Sequence, residues 1–264
     1  MPAANPASPF YQTLSRLLPE RGMTLVQLCP DGDPVAQRVL HDYGAMFVGA
    51  ESILPPPVCV FTSEQDVSQF QEAARWASAT IGEATVELQP AAMAALLRAR
   101  ATASKEGLDI TPRDGAEAAR RGYADTVRLW NSRFLPALEH WLNKGRLTMD
   151  QVDRLRTLPI HSQVSEVLEL EKDRIFFSKD LSKSVLYSIA APGSSQHIAM
   201  LAFDVNEFFN PRVREIMTAE GWFQTVLSDL PHFTFLGLVE SRLPEHGLKA
   251  VEANGQTFWI PDIG

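Results

Sequence analysis

Two histidines and an aspartate in the C-terminal half of the chain, His197, Asp204 and His232, are residue types that hold a divalent cation. A catalytic zinc usually takes three protein ligands from His, Asp and Glu and keeps a position for water or substrate. The interval from His197 to Asp204 is too long for one helical turn. It suits a loop that runs into a strand and meets an ion twice. His232 opens a second apolar run, and a helix over 211–220 links the two, so neighbouring strands could bring all three ligands around one point. A metal lowers the pKa of its water to about 7. A carboxylate must still take the proton and hand it to a leaving amine, and Asp229, just ahead of His232, is placed to be that general base. An anionic tetrahedral intermediate also needs a fixed cation. Arg113 could supply it, or grip a substrate carboxylate through two parallel hydrogen bonds.

The elements that must carry these residues follow from local pattern. Pro90 starts an alanine-rich helix that ends before Gly107. Residues 108–110 read as a short strand, and Thr111-Pro112-Arg113 leaves it. Asp114 and Glu117 form a capping-box pattern for a helix over 115–130, which puts Arg113 on a strand-to-helix turn. Helix continues around Pro136 to Lys144-Gly145. Thr148 and Gln151 cap another, and 162–171 is amphipathic. Residues 175–178, 184–189, 201–205 and 232–239 read as strands. Asn210-Pro211 starts a helix that Gly221 stops. The end is a hairpin, 248–252 and 257–260, around Asn254-Gly255.

Residues 1–80 read as an accessory α/β region without a site, and 81–264 as the domain that carries the chemistry. In the first, a loose arm with a short helix over 11–18 precedes apolar runs at 24–29, 45–49 and 58–61 that read as strands. Asp33-Pro34 starts a helix that Gly44 stops, and Thr62 or Ser63 caps another to about residue 79.

The chain has 264 residues, 45% of them hydrophobic and 21% charged, as in ordinary globular proteins. Its net charge of −8 argues against a nucleic-acid partner, which needs a basic face. No apolar run is long enough to span a membrane. The first residues lack a basic segment followed by a long apolar one, so they do not read as a signal peptide. Cys29 and Cys59 are too few for a disulfide framework; they read as two buried thiols or one disulfide. Neither has a CxxC partner, which argues against a cysteine zinc site. His41 and His140 fall in helical patterns, His161 at a helix start and His246 in a Pro/Gly turn.

The motifs resemble those of the zinc D,D-peptidase family, which includes D-alanyl-D-alanine carboxypeptidases and related peptidoglycan peptidases. That family shows S-x-H-x-x-G-x-A-x-D. Here Ser195, His197, Ala202 and Asp204 match, Pro192-Gly193 precedes them, and Met200 replaces the glycine. The family then shows an acidic residue, two residues and His, matched by Asp229 and His232. Of its upstream S-G-Y-R-S signature only Arg113 is retained. The resemblance covers roughly 86–237. It implies zinc on His197, Asp204 and His232, Asp229 as general base, and Arg113, Ser195 and Gln196 at the substrate. The implied fold is α+β, an antiparallel sheet covered by helices in a hedgehog/D,D-peptidase-like core, with an N-terminal α/β extension and the C-terminal hairpin added. The implied activity is hydrolysis of peptidoglycan stem peptides next to D-amino acids, as a carboxypeptidase; a cell-wall endopeptidase and a non-catalytic zinc- or peptidoglycan-binding module are the alternatives. The implied place is the periplasm or cell envelope, with a signal removed. The glycine-to-methionine change implies different packing in the loop between His197 and Asp204.

Overall fold

Caps and prolines set most helix starts. The computed structural model describes residues 5–264, and among them are nine α-helices and seven short β-strands. The class is α+β: helices with small antiparallel sheets. Asp33 caps α3 (Pro34–Tyr43) by accepting from the amides of Val35 and Ala36. Thr148 and Gln151 cap α7 (Met149–Thr157) reciprocally, and the Asn210 side chain caps α9 (Pro211–Ala219). Helices α1 (Pro9–Glu20), α4 (Glu64–Ala74), α5 (Pro90–Lys105) and α8 (Ile160–Lys172) lie where the apolar patterns put helices. No helix among the described residues is long and apolar enough to cross a membrane.

The central sheet has the order β3–β5–β4, with β3 (Ala202–Asp204), β4 (Trp222–Phe223) and β5 (His232–Phe235) all antiparallel and buried on every residue. Phe203, Trp222, Phe223 and Phe233 are each almost fully buried, at roughly 1.5–3 kcal/mol of hydrophobic stabilisation apiece. Helix α9 makes the connection from β3 to β4 and packs on α5. Hairpins β1–β2 (Ala77–Ile81, Ala84–Leu88) and β6–β7 (Leu248–Ala253, Gln256–Pro261) flank this core, the second turning at Asn254-Gly255 as expected.

Several expected strands are absent. Residues 24–29 instead form α2 (Leu25–Leu28), because Thr24 and Gln27 close a reciprocal cap. Residues 44–48 form a 3-10 turn, and 58–61 are irregular after three prolines. The region up to residue 74 is therefore helical, and the β1–β2 hairpin replaces the last turn expected of α4. Residues 108–110 and 175–178 are irregular, and 185–187 is a 3-10 turn. A short apolar run carries no periodicity that separates strand from turn; a strand also needs a partner in register, and among the described residues none of these runs joins a sheet.

The helix expected over 115–130 is interrupted. A 3-10 turn covers Gly115–Ala118, Asp114 has left-handed backbone and makes no side-chain cap, and α6 (Tyr123–Asn143) begins afresh. The Gly122 amide donates to Asp125 Oδ2 at 2.9 Å to open it.

Candidate metal centre

Register between β3 and β5 builds the centre. Asp204 and His232 are direct partners across the two strands, so their side chains leave the same face about 5 Å apart. His197 arrives from the loop ahead of β3, where successive turns close through Ile198 N to Ser195 O and Met200 N to His197 O. The result is a buried cluster, His197, Asp204 and His232, whose ligand atoms all lie within 4.8 Å of one another.

Hydrogen bonds on the far side of each ring decide which nitrogen faces inward. His197 Nδ1–H donates to the Ala119 carbonyl at 2.9 Å, leaving Nε2 at 3.3 Å from Asp204 Oδ2. His232 Nε2–H donates to Gln196 Oε1 at 2.7 Å, leaving Nδ1 at 3.1 Å from Asp204 Oδ1. Gln196 is itself fixed: its amide nitrogen donates to Tyr43 O at 2.8 Å, and its oxygen also accepts from Thr234. An oxygen acceptor behind each imidazole is the usual support of a metal-binding histidine.

Burial pushes His197 down to about 4, against the pull of Asp204, so the ring is neutral at pH 7. Burial would raise the Asp204 carboxyl, but the two imidazoles facing it hold it well below the usual carboxylate range. Asp204 Oδ2, which His197 Nε2 faces, also accepts from Arg121 at 2.9 Å, so a metal held by the three residues would share that carboxylate with the guanidinium. Ligands about 2.0–2.1 Å from a tetrahedral ion stand roughly 3.3 Å apart, close to the two nitrogen–oxygen separations here. The donor set therefore fits a metal, and these three residues could hold one.

No protein-family model, no curated protein and no solved structure matches this chain.

The remaining candidate residues divide. Asp229 sits in the tight turns before β5, with its amide bonded to Val226 O and its carbonyl to the His232 amide. It lines the same cavity as His197 and His232, and among the described residues its carboxylate has no hydrogen-bond or ion-pair partner. It is exposed on the cavity side; desolvation by the surrounding protein, aided by the Asp204 charge, raises its carboxyl above the ordinary value, opposed by His232, Arg121 and Arg113. Ser195 also lines the cavity, and its Oγ accepts from the His197 amide. Gln196 touches the cavity, but both ends of its amide are engaged: the oxygen holds His232 and the nitrogen donates to Tyr43 O.

Arg113 is brought to the site by its backbone alone. Its amide donates to Asp204 O at 2.8 Å, while its guanidinium is exposed, 5.7 Å from the centre of the Phe208 ring and outside the lining of the cavity. The cation that the fold delivers is Arg121. One nitrogen donates to Asp204 Oδ2 at 2.9 Å, another to Glu117 O, and the side chain lines the cavity. Arg133 lines it too; its partners are the hydroxyls of Ser188 and Ser132, with no carboxylate among the described residues. Tyr43 brings the N-terminal region into the wall, with its hydroxyl on Leu186 O.

The pattern 115–130 hid Arg121 and Ala119 inside an unbroken helix. The signal for the break is Gly122 three residues ahead of Asp125, a capping pattern that follows the first one too closely to share its helix. Two more buried side chains shape the ligand loop. Gln71 donates to Ile198 O and Arg121 O, and Gln89 donates to Ala199 O. Met200, where the resembled motif has glycine, has a left-handed φ of 55° and is fully buried. The methionine therefore adopts the backbone that glycine would favour, held by Gln89 N donating to its carbonyl at 3.0 Å. Gly193 permits a second close approach: a Cβ there would lie 1.9 Å from Phe61 O.

Proposed function

We propose that this protein is a zinc-dependent peptidase of the D,D-peptidase type, hydrolysing peptidoglycan stem peptides next to a D-amino acid, as a carboxypeptidase. The observation that carries it is the buried cluster of His197, Asp204 and His232, whose two histidines line the same cavity as Asp229, a carboxylate without a partner among the described residues. A zinc ion held by His197, Asp204 and His232 would supply Lewis acidity, polarising a peptide carbonyl and easing ionisation of water.

The chain's own residues supply the rest. Asp229 takes the proton of the attacking water and returns it to the leaving amine. A carboxyl raised above its ordinary value holds a proton more readily, which suits that shuttle. Arg121 holds Asp204 in place and presents positive charge where an oxyanion develops. Arg133, free of acidic partners, is the cation best placed to receive the terminal carboxylate of a substrate, the role the motif assigned to Arg113. A cell-envelope location goes with this reading, because that is where such substrates lie.

One observation favours an endopeptidase as the second reading. A neighbouring cavity shares Tyr43, Tyr187, Val226 and Ser228 with the first and reaches His41 and Ile260, which offers room for a longer substrate. Zinc stoichiometry with product analysis on muropeptides tests both. Released D-alanine supports the carboxypeptidase and cut cross-links the endopeptidase. Bound zinc with neither product rejects a peptidase.

A further inference from the structure

The N-terminal region holds a reactive pair that the metal centre does not use. Cys29 follows α2 directly, and Cys59 lies beyond Pro55-Pro56-Pro57. Both are buried free thiols. Their backbones run together, with Cys59 N donating to Leu28 O at 2.7 Å. Because Cys29 follows Leu28 directly, that bond brings the two cysteine side chains together, and each thiol shifts the other's titration. Beside them lies the buried pair of Tyr11 and His41, joined hydroxyl to Nε2 at 2.8 Å.

The thiols are not equivalent. The hydrogen bond from Cys59 lowers the Cys29 thiol, against desolvation and against Asp33 and Asp31. Burial raises Cys59 well above the ordinary value, and the bond to Cys29 adds to that. Cys29 is also the more open, at 6% against 2%. One lowered, more accessible thiol beside one raised, enclosed thiol is the arrangement of an attacking and a resolving cysteine.

We propose that Cys29 and Cys59 form a redox-modification site that closes to an intramolecular disulfide when a small disulfide oxidant is supplied. The Cys29 thiolate attacks one sulfur of the oxidant, forming a mixed disulfide and releasing one thiolate. Cys59 then loses its proton and attacks the Cys29 sulfur, releasing the second thiolate. The two protein thiols are oxidised by two electrons. The oxidant's disulfide is reduced to two thiols, which take up the two protons.

The bond closes a loop of about thirty residues, enough to constrain the unfolded chain substantially. That loop contains α3 and Tyr43, whose carbonyl holds Gln196 and through it His232. The oxidised form thus ties down the segment that braces the metal ligands from behind. The inference does not depend on the peptidase reading, since pairing of the thiols needs no activity.

The test uses the full chain, incubated folded with excess oxidised glutathione, then alkylated in denaturant and weighed intact. The expected product has lost two hydrogens, carries no alkyl group or glutathione, and melts about 5–10 °C higher than the reduced protein, reversibly with dithiothreitol. Cys59→Ser is expected to stop at a glutathione adduct on Cys29, with Cys59→Ala as a second variant if the serine does not fold. Two alkylated cysteines in the wild type, a persistent glutathione adduct there, or a disulfide that lowers the melting temperature would each overturn the proposal; none of these readings needs a variant.

Discussion

His232 Nε2 lies 2.7 Å from Gln196 Oε1, and that bond turns the opposite ring nitrogen toward Asp204. Gln196 has no freedom to exchange its oxygen for its nitrogen, because Tyr43 O occupies the nitrogen. Replacing Gln196 by Met keeps the volume but frees the ring to rotate or change tautomer. Zinc affinity, measured by competition with a chelator, is expected to fall about 10–100-fold, the usual effect of losing such a support.

Asp229 and the ligands should separate cleanly. His197→Ala and His232→Ala are expected to lose zinc and activity together. Asp229→Ala should keep zinc and lower turnover by about a hundredfold or more. The general base works deprotonated, so activity falls as pH drops through its pKa. Because that carboxyl is raised above its ordinary value, the acid limb of kcat/KM should lie above the ordinary aspartate range and vanish from the residual activity of Asp229→Ala. Full activity of that variant on a peptide ending in D-Ala-D-Ala would sink the mechanism.

Three arginines surround the site and are expected to behave differently. Arg121→Met removes a charge-assisted hydrogen bond to Asp204, worth about 1.5–3 kcal/mol, so turnover should fall about 10–100-fold. Arg113→Met, whose guanidinium stacks on Phe208, should change it by less than about threefold. Arg133→Gln should raise KM about tenfold or more for a peptide with a free carboxylate and leave its amide unchanged. Equal effects on acid and amide would remove Arg133 from carboxylate binding.

Met200 offers a test of the ligand loop by stability alone. Its side chain is fully buried and its backbone is left-handed. Truncation to Ala should cost about 2–5 kcal/mol. Truncation to Gly removes one more buried carbon but relieves roughly 1 kcal/mol or more of backbone strain. The glycine variant is therefore expected to be at least as stable as the alanine variant in urea denaturation, reversing the order seen in helices.

Much of the site was legible because its signals are local. Three ligand types at their spacing and a carboxylate ahead of the last histidine can be read along the chain, and the structure places Asp204 against His232 and Asp229 in the same cavity. Arg113 was legible only as a residue on a turn; that its guanidinium leaves the cavity depends on Phe208, far along the chain. The strands expected at 24–29, 45–49 and 58–61 failed because apolarity marks burial without marking backbone shape. A cap at Thr24, a 3-10 turn at Gly44 and the prolines decided the shape.

By itself the sequence determined the candidate ligand residues, the caps and prolines that start most helices, and the closing hairpin. Each depends on chemistry within a few residues. The tertiary structure alone decided which nitrogen of each histidine faces inward, that Arg121 supplies the site's cation, and that Tyr43 reaches into a centre more than a hundred residues away. Those outcomes depend on carbonyls and side chains from distant elements, Ala119, Gln71, Gln89 and Gln196 among them. Their partners become visible only when the backbone has closed around them, because a buried polar group takes whichever partner the packing brings within reach.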